Sequence, residues 1–185
     1  MRLKTILNYG LKFKCFCIGK SEFNEKKDSI IVEIKARTNS KPVCSICGTA
    51  SPGYDTLPER LFEFVPMWGL RVFFRYAMRR VSCPQCKRVV VEAVPWCDGK
   101  NHFTNHYAAF LASWAKELSW KSVAAHFHTS WQTVCSAVES VVNYGLTHRN
   151  LDSVTALGVD EIAWHKGHKY LTLVYQINPG ARRLL

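Results

Sequence analysis

The first hundred residues contain several stretches in which apolar and polar side chains alternate, as in β-strands that bury one face. The clearest stretch spans residues 70–81. One face carries Leu70, Val72, Phe74, Tyr76 and Met78, and the other carries Arg71, Phe73, Arg75, Ala77 and Arg79. Residues 29–37 and 89–94 predict two further strands, and residues 61–65 predict a short strand that Pro66 ends.

The first 40 residues are predicted to form an N-terminal extension that includes one strand. Apolar side chains at positions 3, 6, 7 and 11 have helical spacing, so the chain begins with a short helix or an irregular segment. Residues 24–28 are rich in charge and predict a turn between this start and the strand over 29–37.

Helical spacing replaces alternation after residue 99, where three helices are predicted. Each has an apolar stripe and a preceding residue that can serve as its N-cap. The predicted caps are Thr104, Ser119 and Ser130, and the helices end near Leu118, Phe127 and Tyr144, where Gly145 permits the last ending.

The second and third of these helices have a helix-turn-helix pattern. Ala124 lies where the helices cross closely, and His128 occupies a turn position at which glycine is common. The exposed start of the third helix would then face DNA base edges. The candidate DNA-contacting residues there are Trp131, Gln132, Thr133 and Ser136. A plain helical hairpin inside a bundle is the alternative.

The carboxyl-terminal part predicts a β-hairpin. An apolar run over residues 156–161 is followed by a turn around Gly167 and a second strand over residues 170–177. Asp160 is expected at the end of the first strand, as in the start of an RNase H-like nuclease fold. A carboxylate there could help to hold Mg²⁺ for phosphodiester chemistry. The alternative is a solvated strand end.

The positive net charge indicates what kind of molecule the protein binds. The chain has 185 residues and a formal net charge of +11, and eighteen of its Lys and Arg residues but only nine acids lie within residues 1–100. Such an excess favours a polyanion, most commonly DNA or RNA, although a merely basic surface is the alternative. No apolar run is long enough to span a membrane, and no signal peptide is evident, so a cytoplasmic protein without a membrane partner is expected.

Two C-x-x-C pairs carry the strongest chemical signal. Cys44 and Cys47 form one pair, and Cys83 and Cys86 form the other. Four thiolates suit a tetrahedral structural Zn²⁺ site of the zinc-ribbon kind. Disulfides, redox activity and ordinary buried cysteines are the alternatives. Cys97 has no partner at matching spacing and is expected not to be a ligand.

Basic residues cluster around the second cysteine pair and on the strand before it. The candidates for DNA phosphate contacts are Arg71, Arg75, Arg79, Arg80, Lys87 and Arg88. A guanidinium fork matches phosphate oxygens, and a strand held by a metal would present it rigidly. The alternative is a solvated face whose arginines pair with acids such as Glu59 and Glu63.

Several of these blocks, in this order, resemble the ISL-three family of bacterial insertion-sequence transposases. The blocks are Cys44-x-x-Cys47, Arg79-Arg-Val-Ser-Cys83-Pro-x-Cys86, Val94-Pro-Trp-x-Asp-Gly-Lys100, Leu118-Ser-Trp-Lys-x-Val-Ala124, Ser130-Trp-x-Thr-Val134, Gly158-Val-Asp-Glu-Ile-Ala-Trp164 and Lys166-Gly-His-Lys-Tyr-Leu-Thr-Leu-Val-Tyr-Gln-Ile177. The resemblance covers most of the chain after about residue 40.

We therefore expect an α+β protein in four parts, of which the first is the extension over 1–40. The resemblance implies the other three, which are a zinc ribbon over 41–98, a helix-turn-helix domain over 99–150 and the start of an RNase H-like DDE domain over 151–185. The zinc ribbon and the helix-turn-helix domain would recognise the terminal inverted repeats of the element. Asp160 matches the first catalytic acid. The second Asp and the Glu are not found in these 185 residues, so we expect no strand transfer by them alone, and Mg²⁺ only with a full catalytic domain.

Two alternatives to a truncated transposase stay open. The chain could be a DNA-binding repressor of its parent element, or a zinc ribbon that contacts other proteins. A homo-oligomer is also left open. A bacterial, nucleoid-associated location follows from the resemblance.

Overall fold

The computed structural model of the protein describes residues 3–98, 100–180 and 183–185. Its contacts divide the chain into two compact units, with the division between Val142 and Asn143. The fold is mixed α+β, as expected, with four α-helices and two sheets among the described residues. None of the described helices combines the length and apolarity needed to cross a membrane.

The elements follow one another along the chain as a helix, five strands, three helices and three strands. Their bounds are α1 Leu3–Leu11, β1 Phe16–Asn24, β2 Ser29–Ala36, β3 Gly53–Met67, β4 Leu70–Cys83, β5 Arg88–Val91, α2 Asn105–Trp114, α3 Trp120–His126, α4 Trp131–Thr147, β6 Leu157–His165, β7 Lys169–Gln176 and β8 Arg183–Leu184. A single 3₁₀ turn, Glu25–Lys27, joins β1 to β2 at the predicted charged turn.

The first sheet has the strand order β1-β2-β4-β3, and β5 pairs with the far end of β4. β2 runs parallel to β4, and the remaining pairs are antiparallel. The N-terminal extension therefore shares one sheet with the residues around the cysteine pairs. This sheet contains strands from both sides of residue 40, where the sequence predicted the boundary between the extension and the zinc ribbon.

β3 is much longer than the short strand predicted over residues 61–65. It spans Gly53–Met67 and includes both Pro58 and Pro66. A proline removes a backbone donor and is tolerated on edge strands, and β3 lies at the edge of its sheet. Pro66 thus does not end the strand, because its missing N–H is not needed by a neighbour.

The core of this sheet is built around Trp96, which is completely buried. Its indole packs edge-on against Phe16 at 4.9 Å and Tyr76 at 5.2 Å between ring centroids, and also contacts Phe13 and Phe62. The sequence pattern did not indicate this core position, because a single large aromatic in a loop can fill a core without any periodicity.

The three helices after the sheet have the predicted caps, with two changes of length. The hydroxyls of Thr104, Ser119 and Ser130 accept hydrogen bonds from N–H groups three residues ahead. α2 ends four residues earlier than Leu118, and α4 continues past Gly145 to Thr147. The buried side chains of this helical core are Phe103, Tyr107, Ala108, Leu111, Val123, Ala124, Val134 and Ala137.

Glu63 ties the helical core to the first sheet. Its backbone N–H donates to His102 O at 2.8 Å, and its carbonyl accepts from Thr104 N at 2.8 Å. Residues 102–104 therefore lie alongside β3 in the parallel direction, and α2 begins immediately afterwards. Asn105 N also donates to Trp96 O, so the same loop holds both the core tryptophan and the first helix of the trio.

The second unit contains the predicted hairpin, β6 and β7, with β8 added at its edge. Asp160 pairs with Leu173 in the middle of the hairpin, so it is the fourth residue of β6 and does not end the strand. Large apolar residues on both faces are exposed, for example Val159 at 68% and Ile162 at 43%. Strands with two apolar faces are typical of sheets covered on both sides.

Candidate metal centre and candidate nucleic-acid interface

Four sulfur atoms converge at one end of the first sheet. The Sγ atoms of Cys44, Cys47, Cys83 and Cys86 all lie within 4.8 Å of one another. Cys44 Sγ lies 3.9 Å from Cys86 Sγ, and Cys47 Sγ lies 3.5 Å from Cys83 Sγ. Tetrahedral Zn–S bonds of about 2.3 Å place sulfurs about 3.8 Å apart. The spacing is therefore compatible with a structural metal site.

The two cysteine pairs have the same local backbone shape. In each, the residue after the second cysteine lies in the left-handed region, Gly48 with φ 72° and Lys87 with φ 52°. Gly48 N donates to Cys44 O, and Cys86 N points at Cys83 Sγ from 3.5 Å. Glycine adopts this backbone conformation at little cost, so Gly48 suits the first bend. Lys87 adopts it without that advantage, and a lysine gives no sequence signal for such a bend.

The pKa values of three of these cysteines are shifted in different directions. Hydrogen bonding with Thr49 lowers the pKa of Cys47 to about 6, and the Cys86 backbone N–H lowers the pKa of Cys83. Hydrogen bonding with Cys47 raises the pKa of Cys86 to about 12. Thiols this close share protons because four bare thiolates repel one another. A divalent cation would remove that conflict, so the donor set fits a metal chemically as well as geometrically.

Arg79 is held inside the protein, although it was a candidate for DNA contact. Glu92 is completely buried at its side chain and accepts from Arg79 Nε at 2.9 Å and from Arg79 Nη2 at 2.7 Å. The same carboxylate accepts from the Tyr76 hydroxyl at 2.7 Å, and Arg79 also donates to Ser40 O. These bonds use the guanidinium fork, and they lie beside the cysteine cluster because Glu92 pairs with Cys44.

The strand alternation explains why Arg79 departs from its predicted face. The even-numbered residues of β4 from Val72 to Met78 are buried, whereas beyond Met78 the buried residues are Val81 and Cys83. The change of phase lies beside a register shift in the pairing of β4 with β3. Such bulges reorient side chains, so Arg79 no longer shares a face with Arg71 and Arg75.

The other candidate arginines of β4 also have carboxylate partners. Arg71 Nε lies 2.9 Å from Glu63, and Arg75 lies 2.7 Å from Glu22 and 3.8 Å from Glu59. Arg80 forms a two-point pair with Asp55. The ion pairs with Glu59 and Glu63 that the sequence offered as an alternative to DNA contact are therefore formed in this structure.

Lys87 and Arg88 differ from these arginines. Both are exposed, and neither forms an ion pair with any described residue. They lie in the second cysteine turn and at the start of β5. Their charges are therefore available to an outside anion at the end of the sheet that carries the four cysteines.

The turn between α3 and α4 has the conformation that its sequence indicates. His128 has φ 52°, Thr129 N donates to Ala124 O at 3.0 Å, and His128 N lies 3.5 Å from Ala125 O. This is a Schellman ending with histidine in the usual glycine position. It brings α4 out of the turn with Trp131, Gln132 and Ser136 exposed and Thr133 half-buried.

Asp160 belongs to no cluster of three or more potential metal ligands within the described ranges of the chain. It is exposed, and its Oδ1 accepts the backbone N–H of Glu161 at 2.8 Å. Glu161 is its neighbour along β6, so the two side chains leave opposite faces. Among the described residues, the four cysteines form the single cluster of three or more potential metal ligands.

Sequence reasoning missed two residues that support this site, Glu92 and Trp96. Glu92 lies in the predicted strand over residues 89–94, and Trp96 lies just after that strand. A buried acid in an apolar strand, Val89-Val-Val-Glu-Ala-Val94, is the signal that could have revealed Glu92, since such a residue needs a cationic partner.

Comparison with curated proteins finds insertion-sequence transposases. The chain is 25% identical, over 77% of its length, to the transposase for insertion sequence element IS1001 of Bordetella parapertussis. It is 28% identical, over 82% of its length, to the transposase for insertion sequence element IS1557 of Mycobacterium tuberculosis. The chain spans only 35% and 34% of these relatives, which is consistent with a partial transposase. No family model and no solved structure matches the chain.

Proposed function

We propose that the chain is the DNA-binding part of an insertion-sequence transposase, of the ISL-three family, and that it recognises the terminal inverted repeats of its element. The observation that carries this proposal is the similarity to two transposases over about four-fifths of the chain. The net charge of +11 supports a nucleic-acid partner.

In this proposal the four cysteines hold a structural Zn²⁺. The ion would fix the cysteine turns and so the positions of Lys87 and Arg88, which supply phosphate contacts. Arg71, Arg75 and Arg80 are partly exposed and could exchange their carboxylates for phosphates, with a net gain limited by the pairs they give up. Arg79 is assigned a structural role, because each of its side-chain nitrogens already donates to Glu92 or to Ser40 O.

Sequence recognition is assigned to the start of α4. A helix-turn-helix places the first residues of its second helix in the major groove, where Gln132 can pair with adenine. Trp131, Thr133 and Ser136 would make the neighbouring contacts. Asp160 would be the first acid of a DDE triad whose other acids, with Mg²⁺, belong to a full catalytic domain.

The test is a gel-shift or fluorescence-anisotropy titration on two duplexes of equal length and composition. One carries the terminal inverted repeats that flank the gene, and the other carries a scrambled sequence. We expect the repeat to bind more tightly at every salt concentration. Equal binding to both duplexes would remove the inverted-repeat claim, and no binding to either would remove DNA recognition altogether.

Matched variants assign the contacts. Gln132→Ala is expected to cost about 1–3 kcal/mol on the repeat and little on the scrambled duplex. Asn143→Ala is the control, because it removes an exposed amide three turns further along the same helix. Lys87→Gln is expected to weaken binding to both duplexes and to reduce the salt slope by about one. A Gln132→Ala variant that keeps full discrimination would contradict the assignment to α4.

A further inference from the structure

Four cations from the first 41 residues lie together at one end of the first sheet. They are Lys12, Lys14, Arg37 and Lys41, and they are called the N-terminal cations below. All four side chains are exposed. None of them forms an ion pair with any residue that the structure describes. Their charges are therefore free to meet an anion from outside the chain.

Strand pairing brings the two segments that carry these cations together. Phe16 at the start of β1 pairs with Ala36 at the end of β2, so the chain enters β1 and leaves β2 at the same end of the sheet. Arg37 N donates to Cys15 O at 2.9 Å, and Ser40 Oγ donates to the same carbonyl at 3.1 Å. One N-terminal cation thus takes part directly, and two others are chain neighbours of the bonded residues.

The N-terminal cations line two adjoining open clefts. The first cleft has a volume of about 500 Å³ and is lined by all of them except Arg37, together with apolar side chains such as Leu11 and Val94. The second is lined by all of them except Lys41. Residues 12–14 line both clefts and so form the wall between them.

The surroundings of the N-terminal cations hold almost no negative charge. Residues 1–21 and 34–54 contain no Asp or Glu. Among the described residues that line the two clefts, the one acid is Glu92, which is buried and bonded to Arg79. The positive charge of this surface is therefore not balanced by its neighbours. The acids of β1, β2, β3 and the turn after β1 either pair with cations of the strands or lie in that turn at the opposite end; these are Glu22, Glu33, Asp55, Glu59, Glu63, Glu25 and Asp28.

The same end of the sheet carries the cysteine cluster. β2 runs parallel to β4, so β2 finishes at the end where β4 reaches Cys83. Lys41 precedes Cys44 by three residues. Lys87 and Arg88, to which phosphate contacts are already assigned, lie at this end as well.

We propose that the N-terminal cations bind phosphates of duplex DNA, which makes the N-terminal extension part of the DNA-binding surface. A duplex carries one negative charge per about 1.7 Å of its axis, so it can meet cations in both clefts at once. Unlike the arginines of β4, these cations give up no carboxylate when they bind a phosphate. The inference rests on the proposed function, because it adds a surface to the same DNA complex.

The experiment compares two double variants of the full chain that remove equal charge. Lys12→Gln with Lys14→Gln removes two N-terminal cations, whereas Lys26→Gln with Lys27→Gln removes two exposed lysines from a turn that also carries two acids. We expect the first variant to bind both the repeat and the scrambled duplex at least about ten-fold more weakly at 0.1 M salt, with a salt slope smaller by about two. The second should stay within about two-fold of the unaltered chain, because its distant charges are screened.

Two further measurements cover the rest of the surface. Arg37→Gln with Lys41→Gln should also reduce the salt slope by about two, and the thermal midpoints should not change, because all of these side chains are exposed. Lysine acetylation read by mass spectrometry needs no variant. In the DNA complex the three lysines among the N-terminal cations should be protected, whereas Lys26 and Lys27 should stay reactive.

The outcomes separate this inference from the function on which it rests. If the unaltered chain binds neither duplex, the proposed function is lost and this inference with it. If the chain binds and the two lysine variants behave alike, only the N-terminal surface is wrong. Every variant should keep its preference for the repeat, because phosphates carry no sequence information. A variant that loses this preference would contradict a phosphate contact, and a loss confined to single-stranded DNA would contradict a duplex.

Discussion

β4 of the first unit and β6–β7 of the second are equally clear as strands in the sequence, yet they have opposite surroundings. In β4, Val72 and Phe74 are completely buried, and a loop tryptophan closes the core above them. In the hairpin, Trp164 is 60% exposed and Val159 is 68% exposed. Strand formation is therefore a local property of the sequence, whereas burial depends on what the rest of the fold brings against it.

The comparison also shows two ways of holding a sheet together. The first sheet has an aromatic core, a buried ion pair and four clustered sulfurs, each from segments far apart in the chain. The hairpin is held by backbone pairing and by neighbouring side chains on the same face. Two or three strands without a covered face are marginally stable. Four predictions test how far this difference extends.

The largest effect is expected from Cys83→Ser, which removes one of the four sulfurs. Metal content should fall from one ion per chain to well below one, and the first sheet should lose its cooperative unfolding. Metal binding contributes about 10–16 kcal/mol in small zinc peptides, so the loss of a ligand removes much of that support. Elemental analysis and thermal unfolding measure both. Cys135→Ser, outside the cluster, should keep its metal; retention of a full ion by Cys83→Ser would exclude the four-sulfur site.

Next in size is a matched pair of tryptophan truncations. Trp96→Ala should lower the free energy of unfolding by about 3–5 kcal/mol, because it empties the centre of the core. Trp164→Ala should change it by no more than about 0.5 kcal/mol, because its ring is mostly in water. Urea unfolding provides the measurement. Comparable losses in the two variants would show that the hairpin is covered in solution.

A smaller loss is expected from Glu92→Gln, which keeps the shape of the side chain and removes its charge. We expect a cost of about 2 kcal/mol, since Arg79 is left with a weaker partner but retains some access to water. Chemical unfolding measures this cost. Glu59→Gln, whose carboxylate is exposed and 3.8 Å from Arg75, is the control and should be nearly neutral. A neutral Glu92→Gln would contradict the structural role of the pair.

The smallest effect concerns Asp55 and pH. Its hydrogen bonds with Arg80 lower the pKa of the carboxyl below its ordinary value. Because the folded pKa is the lower one, the pair stabilises the fold above the unfolded pKa of about 3.9, and this contribution is lost as pH falls through the folded pKa. Asp55→Asn should flatten the acid limb of stability against pH, and added salt should shrink the difference. An unchanged acid limb would mean that the exposed pair contributes nothing.

Much of the local structure could be predicted because its causes are local. The caps Thr104, Ser119 and Ser130, the left-handed His128 and the turns of the hairpin depend on residues a few positions apart. The cysteine cluster could be predicted for a different reason. A metal requires four ligands at one point, and the chain supplies two matching pairs.

What could not be predicted depends on distant partners. The parallel pairing of β2 with β4, the burial of Trp96 and the bond of Arg79 to Glu92 all join segments that carry no shared pattern. The sequence analysis placed Arg71, Arg75 and Arg79 on one face of β4 by assuming strict alternation. The buried positions change from even to odd numbers between Met78 and Val81, so Arg79 does not share that face. Bulges of this kind arise from the fit between neighbouring strands and leave no mark in the sequence of one strand.

The parallel pairing of β2 with β4 also has a consequence for synthesis on the ribosome. β2 is fully synthesised at Ala36, but its parallel partner β4 begins only at Leu70. Similarly, Cys86 is synthesised 42 residues after Cys44, whose sulfur it contacts. At about 5–20 residues per second, the nascent chain presents an open strand edge for several seconds. During that interval the unfinished protein is most prone to pair with another copy of itself, so the speed of translation through β3 helps to decide how much of it folds.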